Sequence, residues 1–274
     1  SSAEVLLVKR DSGGVLTDLS NRFFIDTFGH AWGRDIAVDS NGNTYVTGNT
    51  ISPTFPTTSG TFDTTANGFE DVFVTKFNTS GTGIIFSTYL GGSFTDAGRG
   101  IAIDGLGNIF LTGFASSSFP VTAGAFDETF NGGSDVFVSK LSANGASLIY
   151  STYIGASQNE SANDIAIDGS GNAYIAVRTS DAIVDYPTTP GAFDTTFNGF
   201  DDAAVTKINP TGTALVYSTF IGGSSLDSAN SIVVNSLGQV YVGGVTTDDV
   251  TDFPTTLGSY DTTANGLTDF FITK

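Results

Sequence analysis

Apolar and polar positions alternate along this chain in short runs, and the runs return. "DVFVTKF" (71–77) reappears as "DVFVSKL" (135–141), "DAAVTKI" (202–208) and "DFFITK" (269–274), with a looser copy, "EVLLVKR" (4–10), near the start. "DIAVD" (35–39) reappears as "GIAID" (100–104), "DIAID" (164–168) and "SIVVN" (231–235). "NTYVTGNT" (43–50) reappears as "NIFLTGFA" (108–115), "NAYIAVRT" (172–179) and "QVYVGGVT" (239–246). "FSTYLGG" (86–92) reappears as "YSTYIGA" (150–156) and "YSTFIGG" (217–223), with a degraded copy "FIDTFGH" (24–30). Runs of this length, rich in Val, Ile, Tyr, Phe and Thr and bounded by Gly, Asn, Asp or Pro, predict strands. No 3.6-residue apolar stripe persists, so no helix is predicted.

In chain order the strands are labelled a (the "DIAVD" copies), b ("NTYVTGNT"), c ("DVFVTKF") and d ("FSTYLGG"). "SNGN", "GLGN", "GSGN" and "SLGQ" join a to b, and "NTSGTG", "SANGAS" and "NPTGTA" join c to d. Gly and Asn tolerate positive φ, so these are tight hairpin turns. Each repeat is therefore a four-stranded antiparallel meander with a period of 64 to 67 residues. Tandem four-stranded sheets predict a β-propeller. The excess over the usual repeat length of about 40–50 residues sits in the b–c connection, for example 116–134. A β-sandwich or a solenoid fits less well.

The expected fold is all-β: one propeller domain over 1–274, of four four-stranded antiparallel blades. The repeats are 35–92, 100–156, 164–223 and 231–274, the last completed by 4–30. Pairing the N- and C-terminal strands closes the ring and removes free sheet edges. The surplus c strand, 4–10, has three explanations. It lies against the outside of the closing blade, it is the ragged end of a longer array, or it is donated to another subunit by strand addition.

Composition narrows the function classes. The 274 residues carry 28 acidic and 10 basic groups, a net charge of −18. That balance argues against nucleic-acid partners, which need a basic footprint. It also disfavours an anionic membrane surface. No apolar run reaches the ~20 residues of a membrane helix. With no Cys, a thiolate metal site, a disulfide and a Cys nucleophile are all excluded.

The combination of "GRGIAIDGLGNIFLTGFASSSFP" (98–120), "PTTPGAFDTTFNG" (187–199) and "VYSTFIGGSSLDSAN" (216–230) resembles the bacterial SBBP family, named for seven-bladed beta-propeller repeats. Strands a and b also resemble NHL-type blades. The resemblance covers nearly the whole chain, with four repeats rather than seven. It implies a propeller in large secreted or surface-attached prokaryotic proteins, and no enzymatic activity to carry over.

Candidate chemistry is sparse. His30, beside Trp32, is the only imidazole, so a Ser-His-Asp triad must use it, and no GxSxG elbow is present. The blander account is a loop residue in a degenerate repeat. The five lysines, Lys9, Lys76, Lys140, Lys207 and Lys274, all occupy one position of strand c. They read as repeated ion pairs or snorkelling stems rather than a binding ring. The loops 62–71, 126–135, 193–202 and 260–269 each place an Asp at both ends of an Asn-Gly loop. The eight candidates are Asp63, Asp71, Asp127, Asp135, Asp194, Asp202, Asp261 and Asp269. Hard oxygen ligands of this kind suit Ca²⁺; the competing reading is turn capping. The aromatic-Pro pairs at Phe55, Phe119, Tyr186 and Phe253, together with Phe62, Phe126, Phe193 and Tyr260, are expected to anchor the long b–c loops.

The b–c and d–a connections share one end of a propeller, and that end is the expected interaction face. The acid-rich stretches 178–186 and 245–253 mark where a partner would sit. The expectation is a non-enzymatic extracellular structural or interaction module, self-assembling through the unmatched N-terminal strand. The alternative is a carbohydrate-binding propeller that presents the loop face to a surface glycan. A hydrolase would need asymmetric acids converging on the channel.

Overall fold

The computed structural model describes residues 6–7, 23–24, 30–180, 186–247 and 252–274. All regular elements in these residues are strands. The first sheet orders β3 (Ala31–Val38), β4 (Thr44–Thr50), β5 (Asp71–Phe77) and β6 (Ile84–Leu90) side by side. The second holds β7 (Ala97–Ile103), β8 (Ile109–Ala115), β9 (Asp135–Leu141) and β10 (Leu148–Ile154). The third holds β11 (Glu160–Ile167), β12 (Ala173–Thr179), β13 (Asp202–Ile208) and β14 (Leu215–Ile221). The fourth has three strands, β15 (Asp227–Val234), β16 (Val240–Thr246) and β17 (Asp269–Thr273). The a-b-c-d meander predicted for each repeat is thus present, and the predicted turns carry Gly at positive φ, among them Gly42, Gly107, Gly171 and Gly238. Only there does the absence of Cβ remove the left-handed penalty.

The chain divides into two compact units: residues 1–111, 115–120 and 140–149, and residues 112–114, 121–139 and 150–274. Each contains one junction between consecutive sheets, built the same way. In the first unit β7 packs on β3 and β4. A Cβ at Gly98 would lie 2.7 Å from Thr47 Oγ1 and 2.8 Å from Val72, so the strands approach at glycine distance. In the second unit β15 packs on β11, β12 and β13. Ala229 and Ile232 bury against Tyr174, Ala176, Ala203 and Val205. A carboxylate clasps each junction: Ile101 N donates to Asp35 Oδ2, and Ile232 N to Asp164 Oδ2, both at 2.8 Å. A bulge just before each clasping position, at Gly33/Asp35 and Ala162/Asp164, turns strand a locally.

The long b–c loop covers its own sheet. Thr58 N donates to Ser87 O at 2.9 Å and Tyr89 N to Asp63 O at 3.0 Å, so the loop pairs with the outer edge of strand d. Thr122–Ser151 with Tyr153–Asp127, and Thr189–Ser218 with Phe220–Asp194, repeat this in the second and third sheets. An edge that would otherwise offer free N–H and C=O groups is thereby closed. Phe55 is buried beneath the loop, 4.6 Å between ring centroids from Phe73 and 5.9 Å from Tyr89. Phe119 and Tyr186 are buried likewise, and Phe253 stacks on Phe271 at 4.8 Å. These four aromatics anchor the loops as expected.

Among the described residues the predicted closure is not found. β1 (Leu6–Leu7) and β2 (Phe23–Phe24) form a separate two-stranded sheet, Leu6 opposite Phe24 and Leu7 opposite Phe23. The strand expected to complete the fourth sheet is hydrogen-bonded to its own c–d neighbour, and the fourth sheet remains three-stranded. Pairing within a hairpin costs less loop-closure entropy than joining distant segments. The remainder of 4–10 and 22–28, including Lys9, lies outside the described residues.

Candidate functional site

The eight predicted aspartates adopt one geometry, repeated four times. Asp63 Oδ1 accepts from Thr65 N at 2.8 Å, and its Oδ2 accepts from the Asn67 amide. Asn67 N then donates to Asp71 Oδ2 at 3.0 Å. Asp127, Asn131 and Asp135 make the same set, with Asn131 N 2.9 Å from Asp135 Oδ2. So do Asp194, Asn198 and Asp202, with a final distance of 2.8 Å, and Asp261, Asn265 and Asp269, with 2.9 Å. These oxygens cap the loop turns. Among the described residues no group of three or more His, Cys, Asp or Glu is arranged to hold a metal ion. The calcium reading therefore finds no support in this geometry.

The two aspartates of each loop differ in environment. Asp63, Asp127 and Asp194 are half-buried and Asp261 is exposed. Asp71, Asp135 and Asp202 are buried at the first residue of strand c. Burial pushes the Asp71 carboxyl upward. Asp96 enters beside it from the d–a corner, accepting from Gly92 N at 2.7 Å and Ser116 N at 2.8 Å. Its pKa rises to about 6, first through burial and then through the charges of Asp71 and Glu70. Glu160 and Asp227 occupy the same corner in the later repeats. The sequence reading missed this corner because Asp96, Glu160 and Asp227 lie outside the four strand motifs and Glu replaces Asp at the middle one.

The lysines form internal contacts. Lys76 Nζ lies 3.7 Å from Asp39 Oδ2 and 4.7 Å from the Tyr45 ring centroid. Lys140 pairs with Asp104 at 3.2 Å over Phe110, and Lys207 with Asp168 at 3.6 Å over Tyr174. Asp39, Asp104 and Asp168 are held below the usual carboxylate range by N–H groups of their own a–b turns, against an opposing desolvation effect. The ion-pair reading thus accounts for three of the five lysines. In the fourth sheet Asn235 stands where the aspartate would be, and Lys274 sits 5.5 Å from the Tyr241 ring. His30 is exposed, and its carbonyl accepts from Ile51 N at 3.0 Å, as the Asn159 and Leu226 carbonyls accept from Ser180 and Thr247. Its backbone role is shared by unlike residues.

The second set of loop aromatics departs from expectation. Phe62 N donates to Gly145 O at 2.7 Å, and Phe126 N to Gly212 O at 2.8 Å, so each loop reaches the c–d turn of the following repeat. Phe193 and Tyr260 are exposed instead. Among the described residues no c–d turn accepts from Phe193 N. A cavity of about 350 Å³ lies there, lined by Phe193, Val205, Tyr217, Val240 and Pro254. Phe69 and Phe200, at one loop position in the first and third repeats, are also exposed. Beside Phe69, Glu70 meets Asn49, which accepts from Arg34 at 3.0 Å; beside Phe200, Asp201 pairs with Arg178 at 2.8 Å. Of the acid-rich stretches, 181–185 and 248–251 lie outside the described residues.

Tandem antiparallel sheets, with strand a of one packed on strands of the sheet before it at the two junctions described above, are consistent with β-propeller repeats. Residues 24–55, 85–120 and 149–181 match the SBBP family, a beta-propeller repeat, and the chain carries this repeat in tandem. The second and third matched segments run through strands d, a and b, so each straddles two sheets. Compared with curated proteins, the chain matches none. Among solved structures it is similar to a luciferin-regenerating enzyme, with 12% identity and a TM-score of 0.43, over 89% of this chain and 64% of that one. It is also similar to a tail fiber of Staphylococcus aureus phage P68, with 12% identity and a TM-score of 0.26, over 78% of this chain and 46% of that one. The chain thus spans less than two thirds of either structure, and likenesses this distant carry no argument about function.

Proposed function

We propose that this chain is a non-enzymatic structural and interaction module, its four sheets being consecutive β-propeller blades. The SBBP repeat supports a prokaryotic secreted or surface setting. One observation carries the reading. The acids, amides and lysines that could do chemistry are spent on the same internal contacts in repeat after repeat, whereas an active site concentrates its groups in one place. Leu6 and Leu7 are already paired with β2, so strand donation through β1 is not part of the proposal. Assays of the purified chain on chromogenic ester, phosphate and glycoside substrates test it. Background rates are expected; turnover that disappears in Asp96→Asn would reject it.

The exposed Phe69 and Phe200 favour glycan binding as a second reading. Each offers an aromatic face beside a carboxylate and an arginine or amide, which is chemistry that stacks on and hydrogen-bonds to a sugar. A glycan array should show binding that weakens in Phe69→Ala and Phe200→Ala. Binding indifferent to both variants would remove these residues from consideration.

A further inference from the structure

Strand c of each of the first three sheets opens on an aspartate, and the d–a corner beside it supplies a second acid. The pairs are Asp71 with Asp96, Asp135 with Glu160, and Asp202 with Asp227. All six residues are buried to 1% exposure or less. Glycine makes the room. A Cβ at Gly91 would lie 2.1 Å from Asp71 Oδ1, and one at Gly155 2.5 Å from Asp135 Oδ1. One at Gly222 would lie 2.9 Å from both Asp202 Oδ1 and Asp227 Oδ2, so an oxygen of each acid faces a single point. In the first corner Asp71 Oδ2 accepts from Asn67 N at 3.0 Å and from Gly68 N at 3.4 Å. Asp96 Oδ2 accepts from Gly92 N at 2.7 Å, and its Oδ1 from Ser116 N at 2.8 Å. Asp71 Oδ1 is buried and, among the described residues, meets no hydrogen-bond donor. An acceptor left that way forfeits its hydration with nothing in return. The charges that act on the pair do not relieve it. Asp63 acts on Asp71 from the b–c loop, and Glu70 acts on Asp96 from the start of strand c. Of the cations on the packed strands, Arg34 in β3 bonds Asn49, which meets Glu70; Lys76 in β5 pairs with Asp39; and Arg99 is half-buried in β7.

We propose that Asp71 and Asp96 share one proton, which supplies the donor that Asp71 Oδ1 lacks, and that its release unfastens the corner as pH rises. Two carboxylates enclosed together resist ionising at once, and the last proton belongs to the pair. Burial first, and then the charges of Asp71 and Glu70, lift Asp96 to about 6; burial lifts Asp71 as well. The closed corner binds the proton more tightly than an open one. The proton therefore favours closure at low pH, and that contribution is lost as pH rises from about 4 to about 6. The effect falls on the loop face. The N–H groups that fasten the corner come from the b–c loop at Asn67 and Gly68, from Gly92, and from Ser116 beyond β8. Phe69 follows directly, its N donating to Phe94 O at 3.0 Å, and Asp96 N donates to Glu70 O at 2.9 Å. Repulsion between the ionised acids loosens this strap and the exposed Phe69 with it. The inference stands on buried acids and on no ligand, so it holds or fails apart from the glycan reading.

Carbon-13 carboxyl shifts and amide hydrogen exchange of the 274-residue chain test it, followed from about pH 4 to about pH 8. The Asp71 and Asp96 shifts should move together with a midpoint near 6. Protection of the Asn67, Gly68 and Ser116 amides should fall roughly tenfold between about pH 5 and about pH 7, beyond the intrinsic change in exchange rate. Asp71→Asn places an N–H where the shared proton lay and keeps an oxygen for Asn67 and Gly68. Its protection should be level across that range, at the wild-type value of the acid end. Asp96→Asn should be less protected throughout, because an amide cannot accept from Gly92 and Ser116 on both of its atoms. An Asp71 shift that stays flat while Asp96 titrates overturns the inference. So does a fall in protection that survives in Asp71→Asn. A midpoint that drops when calcium is added also overturns it, because a cation then serves Asp71 Oδ1. The wild-type shifts decide the matter even if Asp71→Asn fails to fold.

Discussion

The third and fourth sheets read almost alike in sequence and differ sharply in burial. "DAAVTKI" and "DFFITK" occupy strand c in each. Ala203 and Val205 lie beneath β15, whereas the bulkier Phe270 and Ile272 face solvent. The motif supplies an apolar face and the following sheet buries it. Stability in such a series comes from nearest-neighbour contacts as much as from the sheet itself.

The widest gap should appear between Val205→Asp and Ile272→Asp. The first places a carboxylate in the packed junction and should cost about 3–5 kcal/mol. The second should change urea-unfolding stability by about 0.5 kcal/mol or less. Equal losses would show that the fourth sheet is covered as fully as the third. Ile232→Ala against Ile36→Ala sharpens the same contrast: about 2–4 kcal/mol for the buried residue and under about 1 kcal/mol for the exposed one. Gly145→Ala against Gly81→Ala separates backbone strain from crowding. Both positions have positive φ, 71° and 68°, worth about 1 kcal/mol of strain. Only Gly145→Ala adds the clash with Phe86, about 1–3 kcal/mol more, readable as a lower midpoint of thermal unfolding.

Titration offers the finest discrimination. Asp96, enclosed at the first junction, should titrate near 6, while Asp261 in the open fourth-sheet loop stays below the ordinary value through its bonds to Thr263. Carbon-13 carboxyl shifts followed against pH check both. The Asp96 group binds its proton more tightly folded than unfolded. It therefore favours folding at low pH, and that contribution is lost as pH rises from about 4 to about 6. Asp39, Asp104 and Asp168 have the opposite sign: their stabilisation is present above the unfolded value and lost as pH falls below it. The melting temperature should peak between those windows. Asp96→Asn should flatten the profile above the peak.

Much of this was legible from residue order. Strand positions followed from alternation, turns from Gly42 and its counterparts, and loop anchors from Phe55, Phe119 and Tyr186. Turn capping by Asp63 was weighed against calcium and is what the loops adopt. Asp71 was not separable from Asp63, because both are Asp flanking one loop and only the packed junction buries one of them. The edge pairing of the b–c loop left no mark because it uses backbone N–H and C=O groups, which every residue carries. Phe193 is exposed and Phe126 half-buried although they occupy equivalent positions, so that difference could not be read from either motif.

Residue order by itself determined the strands, the turns and their grouping into repeats, because these depend on local alternation and on which residues tolerate positive φ. The tertiary structure alone decided which apolar faces are covered, which carboxyls are buried, and that β2 pairs with β1 rather than with the fourth sheet. Those outcomes depend on what lies opposite a surface in space, and identical repeats carry no record of which of them has a neighbour.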